Sequence, residues 1–146
     1  MTVRKGTYVL VIALGSGLET EVGALGRLSF SPGLYCYTGS AMGGLDQRLA
    51  RHMAREKVLK WHADYLTARA DSVDALVSYP DAVPECELAR MAEECGMEPS
   101  FKGFGCSDCR CRTHLFRADP GSIARLAERA GLVSYNLISF PNGKPL

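Results

Sequence analysis

The chain has 146 residues, 47% hydrophobic and 23% charged, a composition that fits one globular domain with a single core and argues against a disordered or fibrous protein. Its 17 Lys and Arg against 16 Asp and Glu leave a formal net charge of +1, so any contact with nucleic acid has to be local rather than spread over the surface. No apolar run nears the roughly 20 residues that span a bilayer, and the first residues lead into a strand rather than a signal peptide, so a cytoplasmic location is expected.

Tyr8 to Leu14 reads as a buried strand with Gly15-Ser16-Gly17 as its turn. Glu19 to Val22 and Leu28 to Phe30 form a short strand pair around Gly23 to Gly26, and Ser31-Pro32-Gly33 turns the chain into a strand over Leu34 to Thr38. Tyr35 and Tyr37 share one face of that strand, because side chains alternate along it. Gly39, Gly43 and Gly44 then allow a tight turn.

Helices are expected at about Leu45 to Glu56 and Trp61 to Arg69, where apolar residues recur at helical spacing. On the first, Arg48, Arg51, His52 and Arg55 fall three and four residues apart and form a basic stripe, extended by Lys57 and Lys60. The stripe suits a phosphate backbone with salt-dependent affinity; a plain solvated face is the alternative. Val73 to Tyr79 is a further strand, and Pro84 opens a helix with Glu85 in its first turn.

Asp119 is the expected N-cap of a last helix that runs to Gly131, followed by a late strand over Leu132 to Phe140 and a loose tail from Asn142. The expected architecture is α+β, a small central mixed or antiparallel sheet flanked by helices. One domain over residues 1–146 is expected, with a core at about 6–118 and a C-terminal helix and tail at 119–146.

Several motifs carry a resemblance to a known family. Gly6-Thr7-Tyr8 and Tyr37-Thr38-Gly39 resemble the paired motifs of the GIY-YIG nucleases, with Thr in place of Ile in both. Leu45-Asp46-Gln47-Arg48-Leu49 with His52 resembles that family's helix whose Arg contacts the scissile phosphate, and Glu85-Cys86-Glu87-Leu88-Ala89 resembles the helix that supplies a metal-binding Glu. The match covers roughly residues 6–95. A small branch of unassigned function, found alone or fused to DNA-repair glycosylases of the endonuclease III type, is similar through Trp61-His62-Ala63-Asp64-Tyr65-Leu66, Glu85-Cys86, Gly103 to Cys111 and Thr113 to Phe116.

The resemblance implies a metal-dependent DNA endonuclease in repair or processing, associated with DNA-repair enzymes. Phosphodiester hydrolysis needs an activated water, charge stabilisation on phosphate and help for the leaving oxygen. Arg48 would hold the phosphate, Glu85 one magnesium or manganese ion, and Tyr8, Tyr37 or Tyr35 the water, with His52 in support. Gly39, Arg51, Arg55, Lys57 and Lys60 would contact the DNA backbone. Glu87 competes with Glu85 for the metal; Glu85 has the family's spacing to the following Leu88-Ala89. No residue matches the Asn that many members carry after this helix. A non-catalytic nucleic-acid-binding module is the alternative reading of the same residues.

Cys106, Cys109, Cys111 and His114 lie within nine residues, thiolate and imidazole ligands of the kind tetrahedral zinc takes. Four ligands so close in sequence are cramped, so a site that adds Cys86 or Cys95 is more comfortable. The family resemblance favours Cys86, Cys109, Cys111 and His114. An unmetallated buried cluster and a redox or catalytic thiol remain alternatives, the last making the chain a zinc or thiol protein in which Cys109, Cys111 and His114 act on a small molecule. Six cysteines without a signal peptide fit a reducing compartment, with Cys36 as a core residue. His62 and Asp64 serve packing and capping, or His62 lines the same cleft.

Overall fold

From Tyr8 onward the first strand carries only apolar and aromatic residues, which suits a position with both faces covered. The computed structural model describes residues 3–106 and 109–138 and puts this strand, β1 (Gly6–Leu14), inside a sheet. It pairs antiparallel with β4 (Gly33–Ala41) on one side and β5 (Ser72–Ser78) on the other. With β6 (Glu98–Pro99), β7 (Leu115–Ala118) and β8 (Val133–Ser134), the sheet has the order β6-β7-β4-β1-β5-β8. Every pairing in it is antiparallel. A separate ribbon joins β2 (Leu18–Glu21) to β3 (Arg27–Phe30), as the sequence pattern suggests.

The two faces of β1 meet different helices. Tyr8, Leu10 and Ile12, with Tyr35 and Tyr37 of β4, pack on Leu45 and Leu49 of α1 (Leu45–Met53) and Leu66 of α2 (His62–Thr67). Val9 and Cys36 face the opposite side, against Leu88 and Ala92 of α3 (Glu85–Glu94) and Leu126 of α4 (Pro120–Ala130). The fold is therefore α+β with helices on both faces of the sheet.

Some boundaries differ from the sequence expectation. The first helix stops at Met53 rather than near Glu56, and the Lys57 ammonium donates to the carbonyls of Arg51 and His52 in its last turn. Asp119 caps α4 as expected, its Oδ1 accepting the Ser122 N–H at 2.8 Å, and Gly131 closes the helix at φ 67°. The late strand is reduced to Val133–Ser134, after which α5 (Tyr135–Ile138) begins and the Tyr135 hydroxyl donates to Asp46 Oδ1. The rest of that expected strand and the loose tail from Asn142 lie outside the described residues. Among the described residues no helix is long and apolar enough to cross a membrane.

Candidate functional site

Register brings the first two site residues together. Tyr8 of β1 is paired with Gly39 of β4, and a Cβ added at Gly39 would lie 2.3 Å from the Tyr8 hydroxyl oxygen. Only a glycine leaves room for that ring. The turn after β4 feeds α1, whose first turn carries Arg48 and whose next carries His52, buried against the sheet. The Tyr8 hydroxyl lies 2.8 Å from His52 Nε2.

Burial dominates the chemistry of this pair. It pushes the Tyr8 phenol up to about 12, although Arg48 pulls the other way. It pushes His52 down to about 3, helped by the nearby Lys57 charge. Both groups are therefore neutral near neutral pH. Burial raises Tyr37 as well. His52 Nδ1 is buried with no hydrogen-bond partner among the described residues.

A cleft of about 300 Å³ opens beside the pair, lined by Tyr8, Tyr37, Gly39, Ser40, Arg48, His52, Trp61, Glu85 and Gly105. Of the six residues given catalytic roles by the resemblance, Tyr8, Tyr37, Arg48, His52 and Glu85 share this cleft with Gly39, and Tyr35 does not. Arg48 Nη1 donates to the Ser40 carbonyl at 2.8 Å, and its guanidinium sits 4.4 Å from the centre of the Trp61 ring. Glu85 enters from the opposite side, in the first turn of α3. Glu87 instead pairs with Arg90 on the same helix and does not line the cleft.

The basic stripe is largely tied to the protein itself. Arg51 grips Asp64 with two hydrogen bonds of 2.7 and 2.8 Å and also donates to the Val58 carbonyl. Arg55 donates to the Asp71 carbonyl, and Lys57 to two carbonyls and the Thr67 hydroxyl. Lys60 lies 5.7 Å from the Trp61 ring centre, at the margin of an adjoining cleft of about 150 Å³ with Tyr37, His62 and Gly105. His62 accepts the Gly105 N–H at 2.8 Å and lines this neighbouring cleft rather than the larger one.

Three further placements depart from spacing. Tyr35 shares the Tyr37 face, but its hydroxyl donates to the Ser31 carbonyl and accepts from Arg117, away from the cleft. Trp61 is the shelf beneath both Arg48 and Arg51, a role that its lone aromatic surrounded by cations could have suggested. Gly105, at φ 73°, lets the Tyr37 ring approach; the glycine-rich run around Phe104 was its only sequence signal.

On the α3 side of the sheet, Cys86, Cys109, Cys111 and His114 come together, their ligand atoms all within 4.8 Å of one another. This group could hold a metal ion. Cys95 is buried in the core between α3 and α4 and takes no part. A family model described as Domain of unknown function DUF123 matches residues 7–132. No curated protein and no solved structure matches the chain.

Proposed function

The chain belongs to that family of unknown function, and we propose that it is a metal-dependent endonuclease that hydrolyses DNA phosphodiester bonds in the cleft between Tyr8, Arg48 and Glu85. The observation that carries this reading is convergence: a strand, a helix and a second helix far apart in sequence each send one chemically suited side chain to a single cleft.

Arg48 binds the non-bridging phosphate oxygens. Its contacts with Ser40 and Trp61 hold the planar fork in place, so less side-chain freedom is lost when phosphate binds. The Tyr8 hydroxyl, held 2.8 Å from His52 Nε2 and beside the Arg48 guanidinium, orients the attacking water. His52 stays neutral and fixes that orientation. Tyr37 and the bare backbone at Gly39 shape the seat of the phosphate.

The donor set fits magnesium or manganese, which take one or two carboxylates and complete their shell with water and substrate phosphate. Glu85 would hold the ion, which when bound supplies positive charge to the phosphate and an ordered water. Lys60 extends the contact along the DNA strand, while Arg51 shares the Trp61 shelf with Arg48, Lys57 braces the end of α1 and Arg55 is tied to the Asp71 carbonyl. A role in repair or processing beside DNA-repair enzymes follows from the resemblance in the motifs.

The test is cleavage of supercoiled, branched and single-stranded DNA with magnesium or manganese, run beside Arg48→Ala and Glu85→Ala. Cleavage that falls about 100-fold or more in both variants supports the reading. Full cleavage by both overturns it. Salt-sensitive binding without cleavage by the wild-type chain would instead assign a non-catalytic binding module.

A further inference from the structure

We propose that Cys86, Cys109, Cys111 and His114 bind one structural zinc ion, which fastens the first turn of α3 to the segment entering β7. The proposal rests on the placement of four ligand atoms and is independent of the nuclease reading.

Tetrahedral zinc with bonds of about 2.3 Å to sulfur holds its ligand atoms about 3.8 Å apart. Here all four lie within 4.8 Å of one another, with His114 Nε2 at 3.9 Å from Cys86 Sγ and 3.2 Å from Cys109 Sγ. The set needs only small side-chain adjustments to close on an ion. A two-iron cluster divides its ligands between two metals and needs a wider set.

His114 is already oriented for the task. It is fully buried, and its Nδ1 lies 2.7 Å from Thr38 Oγ1 and 3.3 Å from the Thr38 carbonyl oxygen. A proton on Nδ1 therefore has acceptors, which leaves the Nε2 lone pair facing the thiols. The backbone repeats the link, with the Thr38 N–H donating to the His114 carbonyl at 3.0 Å. Cys106 stands outside the set, its thiol directed to the Phe104 carbonyl.

Four protein ligands leave no open position, so the ion acts through structure. Its target is Glu85. Cys86 is the next residue on α3, and Glu85 Oε2 lies 3.5 Å from His114 Nδ1. A zinc bond at Cys86 pins the helix end that carries the cleft carboxylate, so the metal centre on one side of the sheet supports the cleft on the other.

The experiment measures metal content of the purified chain, the visible spectrum after replacement with cobalt, and amide exchange with and without a strong chelator. The expected result is one zinc per chain and a cobalt spectrum with tetrahedral and thiolate-to-metal bands. Cys109→Ser and Cys111→Ser lose the stoichiometric metal, whereas Cys106→Ser keeps it. Chelation speeds exchange in the first turn of α3 and around His114 while β1 and β4 stay protected. A metal-free wild-type chain, iron in place of zinc, a cobalt spectrum without thiolate bands, or loss of metal in Cys106→Ser equal to that in Cys109→Ser would each overturn the assignment.

Discussion

The Tyr8 hydroxyl and the His52 ring nitrogen Nε2 lie 2.8 Å apart, with both residues almost fully buried. Burial moves them away from each other on the pH scale, the phenol up to about 12 and the imidazole down to about 3. The contact is therefore a neutral hydrogen bond over the whole ordinary pH range, and His52 works as a fixed partner rather than a switch.

This neutral state costs stability in acid. The folded-state value of His52 is depressed, so as pH falls below 6.5 the unfolded chain takes up a proton that the folded chain refuses until about 3. Stability from this group declines with acidification by about 1.4 kcal/mol per pH unit in that window. His52→Phe removes the titrating ring and also the unpartnered Nδ1. Near neutral pH its stability in urea should fall by about 1–3 kcal/mol, because the buried Tyr8 hydroxyl loses its partner. Between about pH 6 and pH 4 it should lose stability less steeply than wild type. Parallel acid slopes for the two proteins would refute the assignment of a buried neutral histidine.

Gly39→Ala tests the close approach of two strands. The added methyl would collide with the Tyr8 ring at 2.3 Å, so ring or backbone must shift. The expected cost is about 1–3 kcal/mol, with the sheet retained. Cleavage should fall more than stability implies, because the displaced phenol loses its geometry toward the cleft. A variant with unchanged melting and activity would contradict the packing.

Asp64 is buried, and four donors meet it: both Arg51 Nη groups and the N–H groups of Lys60 and Trp61. Burial opposes its ionisation, yet the Arg51 fork and these N–H groups hold it below the ordinary carboxylate range. Asp64→Asn should cost about 3 kcal/mol, since it leaves Arg51 without its counter-charge. In a double-mutant cycle with Arg51→Leu, the two effects should be strongly non-additive. Simple additivity in chemical denaturation would show that the pair carries little coupling.

Trp61 underlies Arg48 at 4.4 Å from the ring centre. Trp61→Leu should leave the fold intact and weaken DNA binding or turnover by about 10-fold, the scale of one partly desolvated cation–π contact. The loss should shrink in the Arg48→Ala background, which a direct titration of labelled DNA would reveal. Equal losses in both backgrounds would mean that Trp61 acts independently of Arg48.

Sequence by itself located β1 to β5 and α1 to α4, whereas β6, β7 and α5 emerge only in the folded chain. The unbroken apolar run of β1, the glycines that end β4, the proline before α3 and the Asp119 cap are local signals, set by backbone geometry and burial within a few residues of each other. Tertiary structure alone decided what those residues face. Arg48 and Arg51 sit on one helix three residues apart, yet one lines the cleft and the other is held by Asp64 from α2. Tyr35 and Tyr37 share a strand face, yet only Tyr37 reaches the cleft, because Arg117 of β7 and the Ser31 carbonyl occupy the Tyr35 hydroxyl. Cys86 meets Cys109, Cys111 and His114 through the packing of α3 across the sheet. Spacing fixes which side chains share a face; which of them stays available for chemistry depends on partners that arrive from elsewhere in the chain.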